Sequence, residues 1–247
     1  MPKGKLFDEI EENIYIIYGE KPSSHSYLIK GLFKNVLIDT GTKVNFQKLV
    51  ETITRVGLKV SDIHMVICTH EHYDHIGCIG FFYETSIIAA DRFAATKIEL
   101  HDEYVIHAAI HDEELIRTKI NIWLENRVLF DFGNYKLKVI HTPGHTSGCI
   151  CLYEPFKKFM FTGDTLFNGG VISKISDSGS YGDYINSLER INTYKMRRMF
   201  PGHGAICENP EESLNASIKN AKAKLNEYTT SLIKMKNEKE LKGDKKS

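Results

Sequence analysis

The stretch Thr69-His70-Glu71-His72-Tyr73-Asp74-His75 gathers four side chains that can bind a metal, His70, His72, Asp74 and His75, into six residues. It follows directly on His64-Met65-Val66-Ile67-Cys68, an apolar run with the composition of a buried strand. The cluster is therefore expected on a loop at a strand end, where a rigid sheet can aim it. Burying that many polar groups without a cation would be costly. Residues two apart in an extended turn project to one side, so His70 and His72 are expected to grip one ion while Asp74 and His75 turn toward a second.

Outward from this stretch, short β-rich runs alternate with segments of helical period. Residues 13–18 and 26–30 read as opening strands, and Asn35-Val36-Leu37-Ile38-Asp39 as an apolar strand stopped by Thr40-Gly41. Phe46, Leu49, Val50, Ile53 and Val56 recur at helical spacing, with Gly57 as the stop. After Ser86-Ile87-Ile88-Ala89-Ala90 comes a segment, about 91–126, that is poor in Gly and Pro. It is expected to form two or more helices and part of a pocket wall. Leu214, Ile218, Ala221, Leu225 and Tyr228 mark a closing helix from Glu211 to about Lys236. The expectation is an α+β fold, sheets covered by helices, in a single domain over 1–236 with a charged tail over 237–247.

Three later strand-like runs also end on ligand-type residues. Residues 135–140 lead into His141-Thr142-Pro143-Gly144-His145, residues 158–162 into Gly163-Asp164, and Arg198-Met199-Phe200 into Pro201-Gly202-His203-Gly204. His145 would complete a three-histidine site with His70 and His72. Asp74, His75 and His203 would make the other, with Asp164 placed to bridge them. Imidazole and carboxylate suit zinc first, with iron and manganese as alternatives. Two such cations lower the pKa of a shared water and polarise a substrate oxygen, which is the chemistry of hydrolysis. Asp74 could orient the nucleophile or pass its proton to the leaving group.

Composition is consistent with a small-molecule enzyme. Lys plus Arg and Asp plus Glu balance at 32 each, so no global charge attracts nucleic acid or an anionic membrane, and neither is expected as a partner. No run approaches a membrane span, and the polar start of the chain does not read as a signal peptide. Five cysteines, Cys68, Cys78, Cys149, Cys151 and Cys207, fit packing in a reducing compartment, so a cytoplasmic location is expected. The sequence leaves the oligomeric state open.

Together these motifs, with Leu37-Ile38-Asp39-Thr40-Gly41 and Phe161-Thr162-Gly163-Asp164-Thr165-Leu166-Phe167, resemble the metallo-β-lactamase superfamily, and within it the glyoxalase II-like hydrolases. The resemblance runs over nearly the whole chain, with the motifs in the family's order. It implies a four-layer αββα sandwich with two metals at one edge of the sheets, and roles for Asp39 and Thr69 in supporting the ligands. Asp164 stands where antibiotic-hydrolysing members often carry cysteine, and His72 where flavodiiron oxygen reductases carry glutamate. The run Gly169 to Lys174 lacks the arginine of many glyoxalase II-like and persulfide dioxygenase sequences, and Phe167 replaces the tyrosine of quorum-signal lactonases.

The leading expectation is hydrolysis of a small thioester or lactone. Phosphodiester hydrolysis with the same two metals and persulfide oxidation at a single iron held by His70, His145 and Asp164 are the alternatives. Outside the seven ligands, His141 reads as a packing or supporting residue. His107 and His111, four apart, lack a third ligand for a separate site. His25, His64 and His101 read as surface or packing residues, and Tyr181 and Tyr184 as loop anchors or pocket lining.

Overall fold

Side chains that alternate along each strand must enter different layers, and here they separate cleanly. The computed structural model describes residues 5–243. Strands β1 (Phe7–Glu11), β2 (Ile14–Ile17), β3 (Ser26–Lys30), β4 (Asn35–Ile38), β5 (Ile63–Ile67), β6 (Ile87–Asp91) and β7 (Ile122–Leu124) form one sheet in that spatial order. Pairing is antiparallel from β1 to β4 and parallel from β4 to β7. Strands β8 (Leu129–Asp131), β9 (Lys136–His141), β10 (Ile150–Glu154), β11 (Phe159–Gly163) and β12 (Arg198–Pro201) form a second sheet in sequence order, antiparallel except for the parallel pair β11 and β12.

Leu28, Leu37 and Val66 face helices α1 (Phe46–Arg55) and α3 (Arg92–Leu100), where Leu49, Ile53, Ala94 and Ile98 complete an outer apolar layer. Their strand neighbours Tyr27, Ile29, Val36, Ile38 and Ile67 point the other way and meet Val139, Ile150, Leu152, Phe161 and Phe200 of the second sheet. Beyond that sheet, Ile140, Cys151, Met160 and Met199 pack against Leu188 of α5 (Tyr181–Ile191) and Leu214 of α6 (Pro210–Gly243). Three apolar layers thus hold four structural layers in the order helix, sheet, sheet, helix, as the resemblance implied. Among the described residues no helix is long and apolar enough to cross a membrane.

Helix α1 ends as its sequence dictates: Gly57, at φ +82°, turns the chain where a residue with a Cβ would be strained. The segment 91–126 holds the two helices expected but is not helical throughout. Helix α3 and the single turn α4 (Glu103–Ile106) account for only its first part, because His101, His107 and Asp112 all take left-handed backbone angles and interrupt the helix. Residues 113–121 are irregular, and Ile122-Trp123-Leu124 joins the first sheet as β7. Strand β1 also went unread: its acidic sequence Phe-Asp-Glu-Ile-Glu hides an edge strand, where charge guards the open backbone. Helix α6 runs on through the segment expected as a charged tail, whose last residues, 244–247, lie outside those described, as do residues 1–4.

The topology sets the site. Strands β4 and β5 run parallel, and β9, β11 and β12 share one direction in the other sheet, so each set brings its carboxyl ends to one edge. There Ile150 N donates to Thr69 O at 2.9 Å, His25 N to Gly202 O at 2.7 Å, and the Tyr27 hydroxyl to Pro201 O at 2.6 Å, tying the two sheets together. The layer between the sheets is the platform for that edge. Phe161→Ala, at a fully buried position in this layer, should destabilise the chain by about 3–5 kcal/mol, read as a lower urea midpoint with an unchanged slope.

Candidate metal centre

Asp39 leaves the end of β4 in a left-handed conformation, φ +54°, which Asp tolerates better than most residues. This turns its carboxylate, 2% exposed, toward the neighbouring strand end. Asp39 Oδ1 accepts from Thr69 N at 2.7 Å, and Oδ2 from the Thr69 hydroxyl at 2.7 Å and from His75 Nδ1 at 2.8 Å. Since the Thr69 proton is committed to Asp39, its oxygen is left to accept from His70 Nδ1 at 3.2 Å. Both rings are thereby held by Nδ1 with Nε2 turned inward, the atom each would offer a cation once it carries no proton.

The loop after β5 does not stay extended. His72 caps a single helical turn, α2 (Tyr73–Ile76), which carries Asp74 and His75. The turn is pinned from outside by Thr40 N donating to His75 O at 2.7 Å and Ser24 N donating to Asp74 O at 3.0 Å. His145, from the turn after β9, donates Nδ1–H to Lys174 O at 2.6 Å, and its Nε2 comes within 2.9 Å of His72 Nδ1. His203, after β12, brings Nε2 to 3.3 Å from His75 Nε2 and 3.0 Å from Asp74 Oδ2.

All seven residues singled out as ligands converge. His70, His72 and His145 form one group and Asp74, His75 and His203 another, each with its ligand-type atoms within 4.8 Å of one another. Asp164, at the end of β11, lies between them: Oδ1 is 3.3 Å from His75 Nε2, while Oδ2 is 3.7 Å from both His145 Nε2 and His203 Nε2. Gly202 makes this approach possible, since a Cβ there would stand 2.5 Å from Asp164 Oδ1 and 2.6 Å from His75 Cε1.

The donor set fits divalent cations. His70 Nε2 and Asp164 Oδ1 are buried with no hydrogen-bond partner, and the atoms around them are imidazole nitrogens and carboxylate oxygens, all of ligand type. Such a collection is repulsive by itself and is reconciled by positive charge at its centre. Burial, reinforced by the neighbouring imidazoles, pushes His70 well below the ordinary histidine pKa and His72 down to about 3, so both are neutral and able to bind metal near pH 7. At His75 burial acts in the same direction, but the carboxylates of Asp164, Asp39 and Asp74 outweigh it and raise the pKa.

Two supporting residues escaped the sequence reading. Glu71, fully buried between two ligands, pairs with Lys97 of α3 at 2.7 Å and accepts from the Thr146 hydroxyl at 2.9 Å, which locks the ligand loop to the turn bearing His145. His25, expected as surface or packing, accepts from Gly19 N at 3.1 Å and holds Gly204 O at 2.9 Å through Nε2, bracing the glycine-rich turn around His203. Neither role has a local signal, because each depends on chain that arrives later. His141 stacks on Phe93 and contacts Ser147 O, a packing role. His107 and His111 do not share a helix face: His107 lies over His72 and His111 over Tyr73. Tyr184 is buried beneath the ligand turn, with its hydroxyl accepting from Ser173 N at 2.9 Å, and Tyr181 rests on Tyr228.

Residues 20–203 match a family model described as the metallo-beta-lactamase superfamily. A protein of Methanocaldococcus jannaschii described as a probable metallo-hydrolase is 35% identical over 74% of this chain and 89% of its own. The human acyl-coenzyme A thioesterase MBLAC2 is 26% identical over 72% of this chain and 71% of its own. In fold, the chain is similar to a metallo-beta-lactamase family protein of Thermus thermophilus, with a TM-score of 0.75 at 19% identity over 88% of this chain and 82% of that one.

Asp39→Asn keeps the left-handed backbone but presents an amide N–H₂ to donors. It should weaken metal binding by about 10–100-fold although it removes no ligand, measured by competition with a chromophoric chelator. His25, lowered by burial to about 4, shares its direction of shift with His70 and His72. All three take up protons more readily when the chain is unfolded, whereas His75 is protonated in both states below about pH 6.5. The metal-free protein should therefore lose stability as pH falls from about 6.5 to 4, seen as a declining urea midpoint. A flat or rising profile would contradict these shifts.

Proposed function

The chain belongs to the metallo-beta-lactamase superfamily and is a metal-dependent hydrolase, and from that premise we propose that it uses two divalent ions, zinc first, to hydrolyse small thioesters or lactones. The observation that carries this reading is the pair of complete three-residue groups with the Asp164 carboxylate between them. Two ions held there would supply hydroxide at neutral pH and polarise the carbonyl oxygen.

The chain's own residues do the rest. Asp74 is the least buried of the three carboxylates at the centre, its side chain 19% exposed. It takes the proton that the nucleophilic water gives up on becoming hydroxide, whose oxygen adds to the carbonyl carbon. The carbon–sulfur bond then breaks, or the ring carbon–oxygen bond in a lactone, and Asp74 returns the proton to the departing group. Asp39 and the Lys174 carbonyl keep His75 and His145 from turning, so the ligand lone pairs need no reorganisation during reaction.

The thioester branch is favoured by the acyl-coenzyme A thioesterase among the relatives. A second complete group, Asp74, His75 and His203, speaks for two ions and against a single iron held by His70, His145 and Asp164. From 91–126, the His107 ring centroid lies 5.4 Å from that of His72, which supports the reading of this segment as part of a substrate-pocket wall. We place the protein in the cytoplasm, in keeping with five buried free cysteines.

Zinc-loaded protein should cleave acyl thioesters, followed by release of free thiol. Asp164→Ala should lose at least one ion and nearly all turnover. Loaded enzyme inert toward broad thioester and lactone panels, yet active on bis-p-nitrophenyl phosphate, would transfer the assignment to phosphodiesters.

A further inference from the structure

Of the five imidazoles at the centre, four have a partner on the outer nitrogen, and two of those partners lie in one short segment after the β11 turn. His70 and His75 lean on Thr69 and Asp39, from the first sheet. His145 leans on Lys174 O, and His72 Nε2 lies 3.1 Å from Ser176 Oγ. This segment is fastened to the ligand turns by its own backbone: Ser176 N donates to His145 O at 2.9 Å and Ser180 N to Gly144 O at 3.0 Å. Ser178 adds side-chain bonds, donating to Glu71 Oε1 at 3.3 Å and accepting from Ser147 N at 3.2 Å. It clasps the group His70, His72 and His145 and makes none of these bonds to Asp74, His75 or His203.

We propose that Ser176 is a positioning residue for His72, and that its hydroxyl sets the affinity of the first metal group independently of the second. His72 turns Nδ1 inward beside His145 Nε2, so when Nδ1 is given to a bound ion, Nε2 carries the proton and donates it to Ser176 Oγ. Without that acceptor the ring can rotate about its side-chain bonds and withdraw Nδ1. Ser176 Oγ also lies 3.4 Å from His107 Nε2, whose ring lies beside that of His72 and whose Nε2 is 3.3 Å from Asp177 Oδ2. Ser176 therefore joins the rim residue His107 to a first-group ligand through one hydroxyl.

The proposal rests on the two-metal reading, and the test separates the two. Zinc is titrated into the metal-free full-length chain against a chromophoric chelator, first for wild type, then for Ser176→Ala, Ser176→Gly and Ser176→Thr. Cobalt(II) loading provides a visible spectrum of the ligand geometry. Wild type should bind two ions. Both hydroxyl-less variants should bind one with unchanged affinity and the other about 10–100-fold more weakly, with an altered cobalt spectrum, and the Thr variant should return toward wild type. The glycine variant keeps the reading available if the alanine variant fails to fold. Equal weakening of both ions, wild-type affinity without the hydroxyl, or a Thr variant as weak as Ala would overturn the role of Ser176. A wild-type chain that takes up no zinc would instead overturn the metal centre, and the proposal with it.

Discussion

The Asp39 carboxylate is the constraint on which the remainder of the site depends. It is buried, reached only through a left-handed turn, and saturated by three donors from the adjacent strand end. Hydrogen bonds to an ionised acceptor are the strong ones, and in a buried setting they fix geometry as well as contribute energy. Their consequence is chemical. By accepting from Thr69 and His75, Asp39 turns an imidazole Nε2 inward in both groups of ligand-type side chains, one directly through His75 and one through Thr69 to His70.

The crowding of those imidazoles around buried carboxylates explains why the surrounding structure is braced so heavily. Five turns converge on one edge of the two sheets, and each would be free to relax if held only by its own strand. Glu71 with Lys97, His25 with Gly204, and the segment 174–180 with Gly144 and His145 are three independent ties from different parts of the chain. A cluster of imidazoles and carboxylates packed this closely needs such a frame to keep its geometry, and that geometry suits a cation at its centre. The two groups are braced unequally. The second leans on the first sheet through Asp39 and on the His25-held turn, whereas the first also depends on the segment after Asp164, where the chain departs from the patterns of the glyoxalase II-like members.

Much of this was legible in the sequence because side chains able to bind a metal carry that chemistry wherever they sit. The seven side chains and the strand ends presenting them could be read from local composition, and Asp39 and Thr69 came with the family resemblance. The core strands were equally readable: Leu28, Leu37 and Val66 against Tyr27, Ile29 and Ile67 is a period of two, written in apolar residues. What escaped reading is stabilised by tertiary partners. Strand β1 is acidic because it is an edge, and β7 follows an irregular stretch whose left-handed turns at His107 and Asp112 have no glycine to announce them. Glu71, His25 and Ser176 look like ordinary loop residues, and their partners lie far along the chain.

The central claim is that this braced set of acceptors is a site for two ions. Native mass spectrometry of the full-length chain, desalted after saturation with zinc, tests it without reference to any substrate. Two zinc ions per chain, both removed by a chelator, are the expected result. A chain that stays metal-free, or that stops at one ion under saturating zinc, would contradict the account.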